Sequence, residues 1–447
     1  MKLTLRQYAA LAIMLFGLFF GAGNLIFPAL MGQMAASASP AAIAGLLITG
    51  VGLPLLGIAA MGVSRSEGLV DMAAPISRRY SLFFTCTLYL TIGPLFAIPR
   101  TATVSFAVGV EALIPGGGSS LWLFGFSILF FAAVLFFSLR PSGILTWVGR
   151  ILTPIFLVSL GILLVTALLR PMGSIYSAPP SGGYAENSFI TGFLEGYNTL
   201  DALAALAFGI VVVNVLRELG VEKPSDIALD TVKAGIFSSI IMALIYIAIT
   251  LAAAQSRAVY PIAENGGLTL SLIARHYFGS FGSILLAVTI IFACLKTAIG
   301  LVTSCSEMFV SLFPRALSYR GWAILFSLVS FTIANFGLNN ILTWSLPVLM
   351  FLYPLAITLI LLNLTGSFFD RDVVVFRWTT WPTLCAAVFD FIKALPKDVI
   401  SALGLQKFID MANGLLPLYS YGMGWLCPAL AGLAVGLFLH KRKIKNS

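Results

Sequence analysis

Apolar residues fill the chain in twelve long segments that alternate with short polar stretches. A helix needs roughly 20 apolar residues to cross a bilayer, and each segment is close to that length or longer. The predicted spans cover residues 7–33, 41–63, 81–110, 119–138, 145–169, 189–216, 233–255, 280–313, 321–338, 341–365, 374–392 and 415–440. The pattern therefore predicts an all-α polytopic membrane protein with about twelve transmembrane helices.

The first span is interrupted at Gly21, Gly23 and Asn24, and the sixth is interrupted at residues 196–201. An unpaired backbone N–H or C=O is costly in hydrocarbon, so such breaks occur where the backbone is buried in protein or lines a watery cavity. Carriers use them to bind substrates and ions near the middle of the bilayer. In a second interpretation, the glycines only allow close helix packing and Asn24 forms a hydrogen bond between helices.

Each interrupted span begins a group of five spans. A repeated unit with an odd number of spans inserts in the opposite orientation, so the matched interruptions indicate an inverted repeat. We predict a single transmembrane transporter domain over residues 1–447. It comprises a first five-helix repeat in 1–170, a second in 189–365, and two additional helices with a basic cytoplasmic tail in 366–447.

Composition and charge agree with a membrane protein. Of the 447 residues, 59% are hydrophobic and 10% are charged, which excludes a soluble protein of this size. The net charge of +9 comes from basic residues between spans, so nucleic-acid binding is not expected. With a cytoplasmic N-terminus, 18 of the 26 Lys and Arg residues fall inside, and the positive-inside rule predicts both termini in the cytoplasm.

Charged residues inside the spans are the candidates for function. Lys296 lies deep in the eighth span, where a charge is costly and needs a partner. A structural ion pair is the alternative to a functional role. Asp201 lies deeper in the sixth span than Glu195, and we expect Asp201 to balance Lys296 or to carry a coupling proton. The sequence leaves the role of Arg100 in the third span undecided.

Aromatic residues and enzyme motifs add little. Phe20, Phe27 and Phe208 are candidates for an apolar pocket, but with 35 phenylalanines a place in the core or against lipid is the favoured explanation. The chain has no GxSxG, HExxH or Walker-type motif, and its five cysteines lack metal-ligand spacing. We therefore predict no catalytic residues, no enzyme activity and no cofactor, with Na+ as a candidate coupling ion.

Four segments carry a family resemblance: LFFGAGNLIFP at 18–28, TGVGLPLLGI at 49–58, YLTIGPLFAIPRTA at 89–102 and ACLKTAIGL at 293–301. They resemble the bacterial branched-chain amino acid carrier family, over most of the chain up to about residue 366. The resemblance implies cation-coupled uptake of leucine, isoleucine and valine across the bacterial cytoplasmic membrane.

The chain is also similar to the wider LeuT-type group of secondary transporters. This resemblance implies a five-plus-five inverted repeat with broken helices 1 and 6, and a cation between the first and eighth helices. It implies that backbone groups of Gly21 and Gly23 meet the substrate carboxylate. The implied cation site consists of the carbonyls of Gly17, Phe20 and Ala293 and the hydroxyl of Thr297.

Lys296 departs from this pattern, because sodium-coupled members usually have a hydroxyl residue in its place. Its ammonium can therefore replace sodium, and both Na+ and H+ stay open as the coupling ion. The predicted substrate-binding residues are Gly21, Gly23, Asn24, Phe20 and Phe208. The predicted cation or coupling residues are Gly17, Phe20, Ala293, Lys296, Thr297 and Asp201, of which Gly17, Phe20, Ala293 and Thr297 would bind Na+ in a sodium-coupled protein.

Taken with the resemblance, the sequence predicts a symporter that imports branched-chain amino acids by alternating access. A carrier for another small neutral amino acid or zwitterion is the alternative. A membrane sensor would need an effector domain, and a channel would need a continuous polar pore with charged rings; the sequence indicates neither. The expected partners are the amino acid, a coupling cation and the lipid bilayer, and no oligomeric state is predicted.

Overall fold

Helices form the framework of the protein in the computed structural model, which describes residues 3–64, 66, 68–111, 114, 119–140, 145–221 and 223–445. These residues contain no β-strand, so the all-α prediction is confirmed. The α-helices are α1 (Leu5–Phe19), α2 (Ala22–Ala35), α3 (Ser39–Leu47), α4 (Leu53–Ser64), α5 (Leu69–Ala73), α6 (Arg78–Leu90), α7 (Ala97–Val104), α8 (Ser120–Ser138), α9 (Thr153–Leu169), α10 (Gly183–Thr199), α11 (Asp201–Glu218), α12 (Pro224–Ser256), α13 (Gly266–Leu312), α14 (Tyr319–Ala334), α15 (Leu338–Thr365), α16 (Val373–Ala394), α17 (Lys397–Ala402), α18 (Gln406–Leu415) and α19 (Leu426–Lys445).

Many of these helices are suited to a bilayer. Within the described ranges, eight helical segments are long and apolar enough to cross a membrane, and α1 and α14 are shorter apolar helices. A helix satisfies its backbone hydrogen bonds internally, which hydrocarbon requires. The chain is therefore a multi-pass membrane protein. Each of the twelve predicted spans overlaps a helix, and their number in the membrane stays a prediction.

Several helix boundaries differ from the predicted spans, most at the starts of α13 and of the last helix. Helix α13 begins at Gly266 rather than at residue 280, because a helical segment with polar side chains precedes the bend at Gly279, where φ is +56°. The last helix begins at Leu426 rather than at residue 415, because the backbone turns after α18 ends at Leu415, with left-handed residues at Leu418 and Gly422. Lys2 and Arg65, two of the 18 basic residues predicted to lie inside the cell, are outside the described residues.

The backbone leaves the helical conformation between α1 and α2. Phe20 (φ −76°, ψ 94°) and Gly21 (φ −114°, ψ −158°) are extended, and the helix resumes at Ala22. Glycine suits this position because the Thr297 side chain lies against it. A β-carbon at Gly21 would be 3.0 Å from the Thr297 hydroxyl oxygen, tighter than ordinary packing allows.

A second interruption separates α10 from α11 at Leu200. Its backbone is left-handed (φ 69°, ψ 6°), which is uncommon for a residue other than glycine. Asp201 is therefore the first residue of α11. Its carboxylate lies where the dipole of the helix favours a negative charge.

The two interrupted helix pairs lie in the interior of the bundle. Helix α2 packs against α10, α12 and α13, and α11 packs against α4, α12 and α13. Most residues of α2 and α11 are buried as a result. Helix α16 instead packs mainly against α15 and α19. The interior position of both interruptions brings their polar groups together.

The third predicted span is also irregular. A π-helical turn, Thr91–Leu95, joins α6 to the segment before α7, and Gly93 within it has non-helical dihedrals (φ −90°, ψ −124°). Pro94 follows and has no N–H to donate. Helix α7 begins directly after this turn and carries Arg100, which is 5% exposed. The irregular turn thus precedes a buried charge.

Candidate functional site

A hydrogen-bonded side chain joins the two interruptions. The Asn24 Nδ2 atom lies 2.7 Å and 2.8 Å from the two carboxylate oxygens of Asp201. The Asn24 Oδ1 atom accepts a hydrogen bond of 2.8 Å from the N–H of Gly21. Asn24 and Asp201 are both buried. The Asn24 amide therefore connects the start of α2 to the start of α11.

Tyr246 of α12 completes this group. Its hydroxyl donates to Asp201 Oδ2 at 2.5 Å and lies 2.5 Å from Asn24 Nδ2. Such charge-assisted hydrogen bonds stabilise a buried carboxylate. The sequence reasoning missed Tyr246, because a lone tyrosine within the apolar run of α12 has no motif that separates it from a core residue.

Lys296 of α13 is fully buried and bonds to the end of α1. Its ammonium donates to the carbonyl oxygens of Gly17, at 2.9 Å, and of Phe20. In a continuous helix the Gly17 carbonyl would accept from the N–H of Gly21, but that N–H bonds to Asn24 instead. The interruption of the helix therefore provides acceptors for the buried ammonium.

An aromatic ring also contacts this ammonium. Lys296 Nζ lies 4.6 Å from the centre of the Phe156 ring, within the range of cation–π attraction. The rings of Phe16 and Phe20 lie farther from Nζ, at 5.6 Å and 5.8 Å. Sequence reasoning missed Phe156, since one phenylalanine of 35 on α9 gives no signal.

The other residues of the predicted cation site are close to Lys296. The Thr297 hydroxyl donates to the Phe20 carbonyl at 3.2 Å, and Ala293 is fully buried one helical turn earlier on α13. Oxygen atoms suit a hard cation such as Na+, but the Gly17 and Phe20 carbonyls already accept from the ammonium. Throughout the described chain, no group of three or more His, Cys, Asp or Glu residues could hold a metal ion.

Arg100 of α7 contacts both interruptions. Its Nη1 donates to the carbonyl of Asn198 at 2.9 Å, just before Leu200. Its Nη2 would lie 2.8 Å from a β-carbon at Gly23, so a glycine is needed there for this close approach. The guanidinium carbon is 5.4 Å from the centre of the Phe27 ring. Phe27 therefore packs on a cation.

A small cavity lies between the interruptions. Its polar lining includes Asn24, Arg100, Thr199, Asp201 and Thr297, and its apolar lining includes Leu18, Phe19 and Leu301. Its volume is about 30 Å³, which is room for about one or two water molecules. A ligand larger than a few water molecules can enter only if the walls move apart.

The predicted substrate-binding residues divide into two groups. Gly21, Gly23 and Asn24 line the cavity, whereas Phe208 and the Phe20 ring are not among the described residues that line it. The Phe20 ring packs 5.3 Å from the Phe156 ring, beside Lys296. Phe208 lies behind Phe19, which forms part of the cavity wall, with ring centres 5.9 Å apart.

Asp201 and Lys296 occupy separate polar groups. Asp201 accepts from Asn24 and Tyr246, and Lys296 donates to backbone carbonyls. Over the described residues, the ion pairs involve Asp372 with His440 and Lys443 and do not include Asp201 or Lys296. The two charges expected to balance each other are thus both buried without direct contact.

The family with the description "branched-chain amino acid transport protein" matches residues 5–443. The chain belongs to this family. The resemblance in the sequence is confirmed. The match to the branched-chain amino acid transport family also continues well past residue 366, up to which the sequence resemblance was seen.

Two relatives are similar to this family member over nearly its whole length. BrnQ of Lactobacillus delbrueckii subsp. lactis is 51% identical over 435 residues, covering 97% of each chain. BrnQ of Bacillus subtilis (strain 168) is 41% identical over 446 residues, covering 100% of this chain and 99% of the relative. Both are named branched-chain amino acid permeases. The family and these relatives are transporters, so the prediction that the chain is not an enzyme is confirmed.

The fold is similar to that of Mhp1, a nucleobase-cation-symport-1 family transporter solved in a closed conformation with bromovinylhydantoin bound. The TM-score is 0.58, and the match covers 98% of this chain and 92% of Mhp1 at 14% sequence identity. Mhp1 has a LeuT fold, so the predicted LeuT-like architecture of this branched-chain amino acid transport family member is confirmed. At this identity the likeness concerns the fold alone.

Proposed function

We propose that this protein imports leucine, isoleucine and valine as a cation-coupled symporter that works by alternating access. The proposal places it in the bacterial cytoplasmic membrane with both termini in the cytoplasm, following the distribution of its basic residues. Its ligands are the amino acid and a coupling cation.

One observation supports the substrate most strongly. A branched-chain amino acid permease shares 51% of its residues with this protein over 97% of both chains. Similarity of that extent over nearly the whole chain supports a shared substrate class. The substrate class of the relative is therefore the best proposal for this protein.

The cavity supports binding of a small amphipathic molecule. Carriers bind substrates where helices are interrupted, and Gly21, Gly23 and Asn24 line the cavity at one interruption. Leu18 and Leu301 provide apolar surface for a branched side chain. We retain Phe20 and Phe208 as proposed substrate residues that would reach the ligand only after the walls rearrange.

Alternating access requires two parts of the bundle to move. We propose that the repeats in residues 1–170 and 189–365 move relative to each other, with residues 366–447 as flanking helices and a cytoplasmic tail. The small volume of the cavity supports such a motion, because an amino acid does not fit between the interruptions as they stand.

We also propose that the Lys296 ammonium occupies the cation position formed by Gly17, Phe20, Ala293 and Thr297. Its hydrogen bonds to the Gly17 and Phe20 carbonyls support this assignment. Sodium coupling would require Lys296 to leave these oxygens during the cycle. Proton coupling would instead let Lys296 or Asp201 carry the proton.

A carrier for another small neutral amino acid or zwitterion is the second candidate function. The polar groups that line the cavity can form hydrogen bonds with the amino and carboxylate groups that all amino acids share. Selection among apolar side chains rests on about 1–3 kcal/mol per methylene group. A sensor or a channel receives no comparable support.

Uptake by the purified protein in liposomes tests the proposal. Radiolabelled leucine is supplied under an inward sodium gradient or an inward proton gradient, with empty liposomes as the control. We expect uptake that excess valine or isoleucine suppresses and that alanine or lysine suppresses less. Absence of leucine uptake under both gradients would contradict the substrate assignment. Uptake driven by sodium would show that the Lys296 ammonium leaves the Gly17 and Phe20 carbonyls during transport. Uptake driven only by protons would assign the coupling to Lys296 or Asp201.

A further inference from the structure

We propose that Arg100 binds the carboxylate of the amino acid substrate and thereby makes the carrier selective for molecules with a free carboxylate. This inference rests on the proposed function and adds a specificity-determining residue to the same site. The ligand class is the α-amino acids, as opposed to amines and amino amides with the same side chain.

The position of Arg100 is the first argument. A buried arginine within a membrane span is costly, so it pairs with other groups or serves a function. Arg100 is 5% exposed and lines the cavity between the two interruptions. The irregular turn at Thr91–Leu95 lies directly before the helix that carries it. The protein thus keeps a cation at the proposed substrate site.

The second argument is that much of its hydrogen-bonding capacity is unused. A guanidinium has several N–H donors arranged in a planar fork. Among the described residues, Arg100 donates one hydrogen bond, from Nη1 to the Asn198 carbonyl, and contacts the Phe27 ring, while Asp201 attracts it electrostatically without an ion pair. The ion pairs of those residues do not include Arg100. A planar fork with spare donors matches a carboxylate.

The position of Gly23 strengthens this assignment. Arg100 Nη2 lies against Gly23, where a β-carbon would be only 2.8 Å away. Gly23 belongs to the first turn of α2, whose N–H groups lack helical partners and favour an anion. The N–H of Gly21 is already bonded to Asn24. Arg100 therefore supplies charge beside Gly23 that the backbone alone does not.

The acidic side of the site is already satisfied by protein groups. Asp201 lines the same cavity and accepts hydrogen bonds from Asn24 and Tyr246. Because Asn24 and Tyr246 already donate hydrogen bonds to Asp201, its carboxylate does not depend on Arg100 for hydrogen-bond donors. The guanidinium is therefore available to a second carboxylate, which a zwitterionic amino acid brings with it.

Competition between leucine and leucinamide tests the inference, because the amide keeps the amine and the side chain and lacks the carboxylate. The readouts are inhibition of radiolabelled leucine uptake in liposomes and the shift of thermal unfolding of the detergent-solubilised protein by each compound. The wild type is expected to prefer leucine. Arg100→Gln is expected to reduce that preference about ten- to a hundredfold, which is the effect of losing a hydrogen bond between charged groups.

Arg371→Gln is the matched control. Arg371 also donates to a backbone carbonyl, that of Ser64, and it bonds to Asn363 away from the cavity. This variant is expected to keep the wild-type preference for leucine over leucinamide. Arg100→Lys keeps the charge without the planar fork and is expected to retain an intermediate preference.

Three outcomes overturn the inference. They are a wild type that binds leucinamide as well as leucine, an Arg100→Gln protein with the wild-type preference, and a control that loses the preference to the same extent. If the Arg100 variants do not fold, Gly23→Ala displaces the guanidinium instead and is expected to reduce the preference. A wild type that neither binds nor transports leucine contradicts the proposed function itself, so the two failures are distinguishable.

Discussion

The side-chain amide of Asn24 and the carboxylate of Asp201 lie 2.7 Å apart, although 177 residues separate them in the sequence. The bond connects the interruption after α1 with the interruption after α10. Any motion that separates these two interruptions has to stretch or break it. The bond is therefore a direct link between the two halves of the candidate site.

Removing this amide is expected to destabilise the protein. Asn24→Ala deprives a buried carboxylate of a hydrogen-bond donor, which costs about 1.5–3 kcal/mol. Thermal unfolding in detergent measures the loss, and leucine uptake should fall with it. Asn340→Ala is the control, because its amide bonds to the Phe336 carbonyl in an exposed position. Equal unfolding of the wild type and Asn24→Ala would contradict this prediction.

The hydroxyl of Tyr246 is expected to matter in the same way. Tyr246→Phe removes a donor to Asp201 without changing the packing of the ring, at a cost of about 1–3 kcal/mol. Unfolding and leucine uptake are the measurements. Tyr260→Phe is the matched change, since its hydroxyl lies 3.4 Å from His276 in an exposed position. A larger effect at Tyr260 than at Tyr246 would oppose the assignment.

Replacing Lys296 is expected to change the ion dependence of uptake. Lys296→Thr removes the ammonium from the Gly17 and Phe20 carbonyls and leaves oxygen atoms that a cation can share. We expect leucine uptake by this variant to rise with sodium concentration more steeply than uptake by the wild type. Lys296→Met, which offers no oxygen, is expected to lose uptake. Unchanged ion dependence and unchanged leucine affinity in both variants would refute the role of Lys296.

A methyl group at Gly17 is expected to disturb the same region. Its β-carbon would overlap the Thr153 hydroxyl and lie 3.1 Å from a methyl carbon of Val148. Overpacking of this kind costs about 1–3 kcal/mol. Gly161→Ala on α9 is the control, because nothing lies within 4 Å of its added carbon. Gly17→Ala should unfold at a lower temperature than Gly161→Ala, and the reverse order would disprove the packing argument.

A pH effect is expected outside the spans. The hydrogen bonds from His440 and from the N–H of Val374 hold the pKa of Asp372 below its ordinary value. A lowered folded-state pKa stabilises the fold at pH values above the unfolded-state pKa, and this stabilisation is lost as the pH falls through the folded-state pKa.

The variant Asp372→Asn tests this direction of the pH dependence of stability. It is expected to unfold more easily than the wild type at neutral pH, with a difference that shrinks as the solution is acidified. Thermal unfolding across pH is the measurement. Asp398→Asn, at an exposed position at the start of α17, is the control and should lower the unfolding temperature at neutral pH less than Asp372→Asn does. If the difference in unfolding temperature between Asp372→Asn and the wild type grew as the solution was acidified, the predicted effect of the lowered Asp372 pKa would be wrong.

The sequence predicts the helices well, because hydrocarbon forces long apolar segments to satisfy their backbone internally. It also marks the position of the first interruption, where Gly21, Gly23 and Asn24 interrupt an apolar run. The boundary error at α13 arises where polar residues occupy a helical segment, and the error before α19 arises where an apolar stretch forms turns. Polarity alone does not separate a loop from a short helix near the surface.

Side-chain partners were harder to predict. The depth of Lys296 in its span indicates that it needs a partner, but the choice of backbone carbonyls over Asp201 depends on how α1 ends and α13 packs. Arg100 stood out only as a charge in an apolar span. Its contacts with Gly23 and Asn198 bring together three regions that are far apart in the sequence. A local sequence pattern does not predict such long-range contacts.

The narrow cavity has a consequence for measured affinities. On the proposed function, a state with room for about one or two water molecules between its walls has to open before leucine can enter, so only the opened fraction of the molecules binds. The apparent dissociation constant then equals the intrinsic constant divided by that fraction. Substitutions far from the cavity that favour the opened arrangement should therefore tighten apparent binding without touching the ligand.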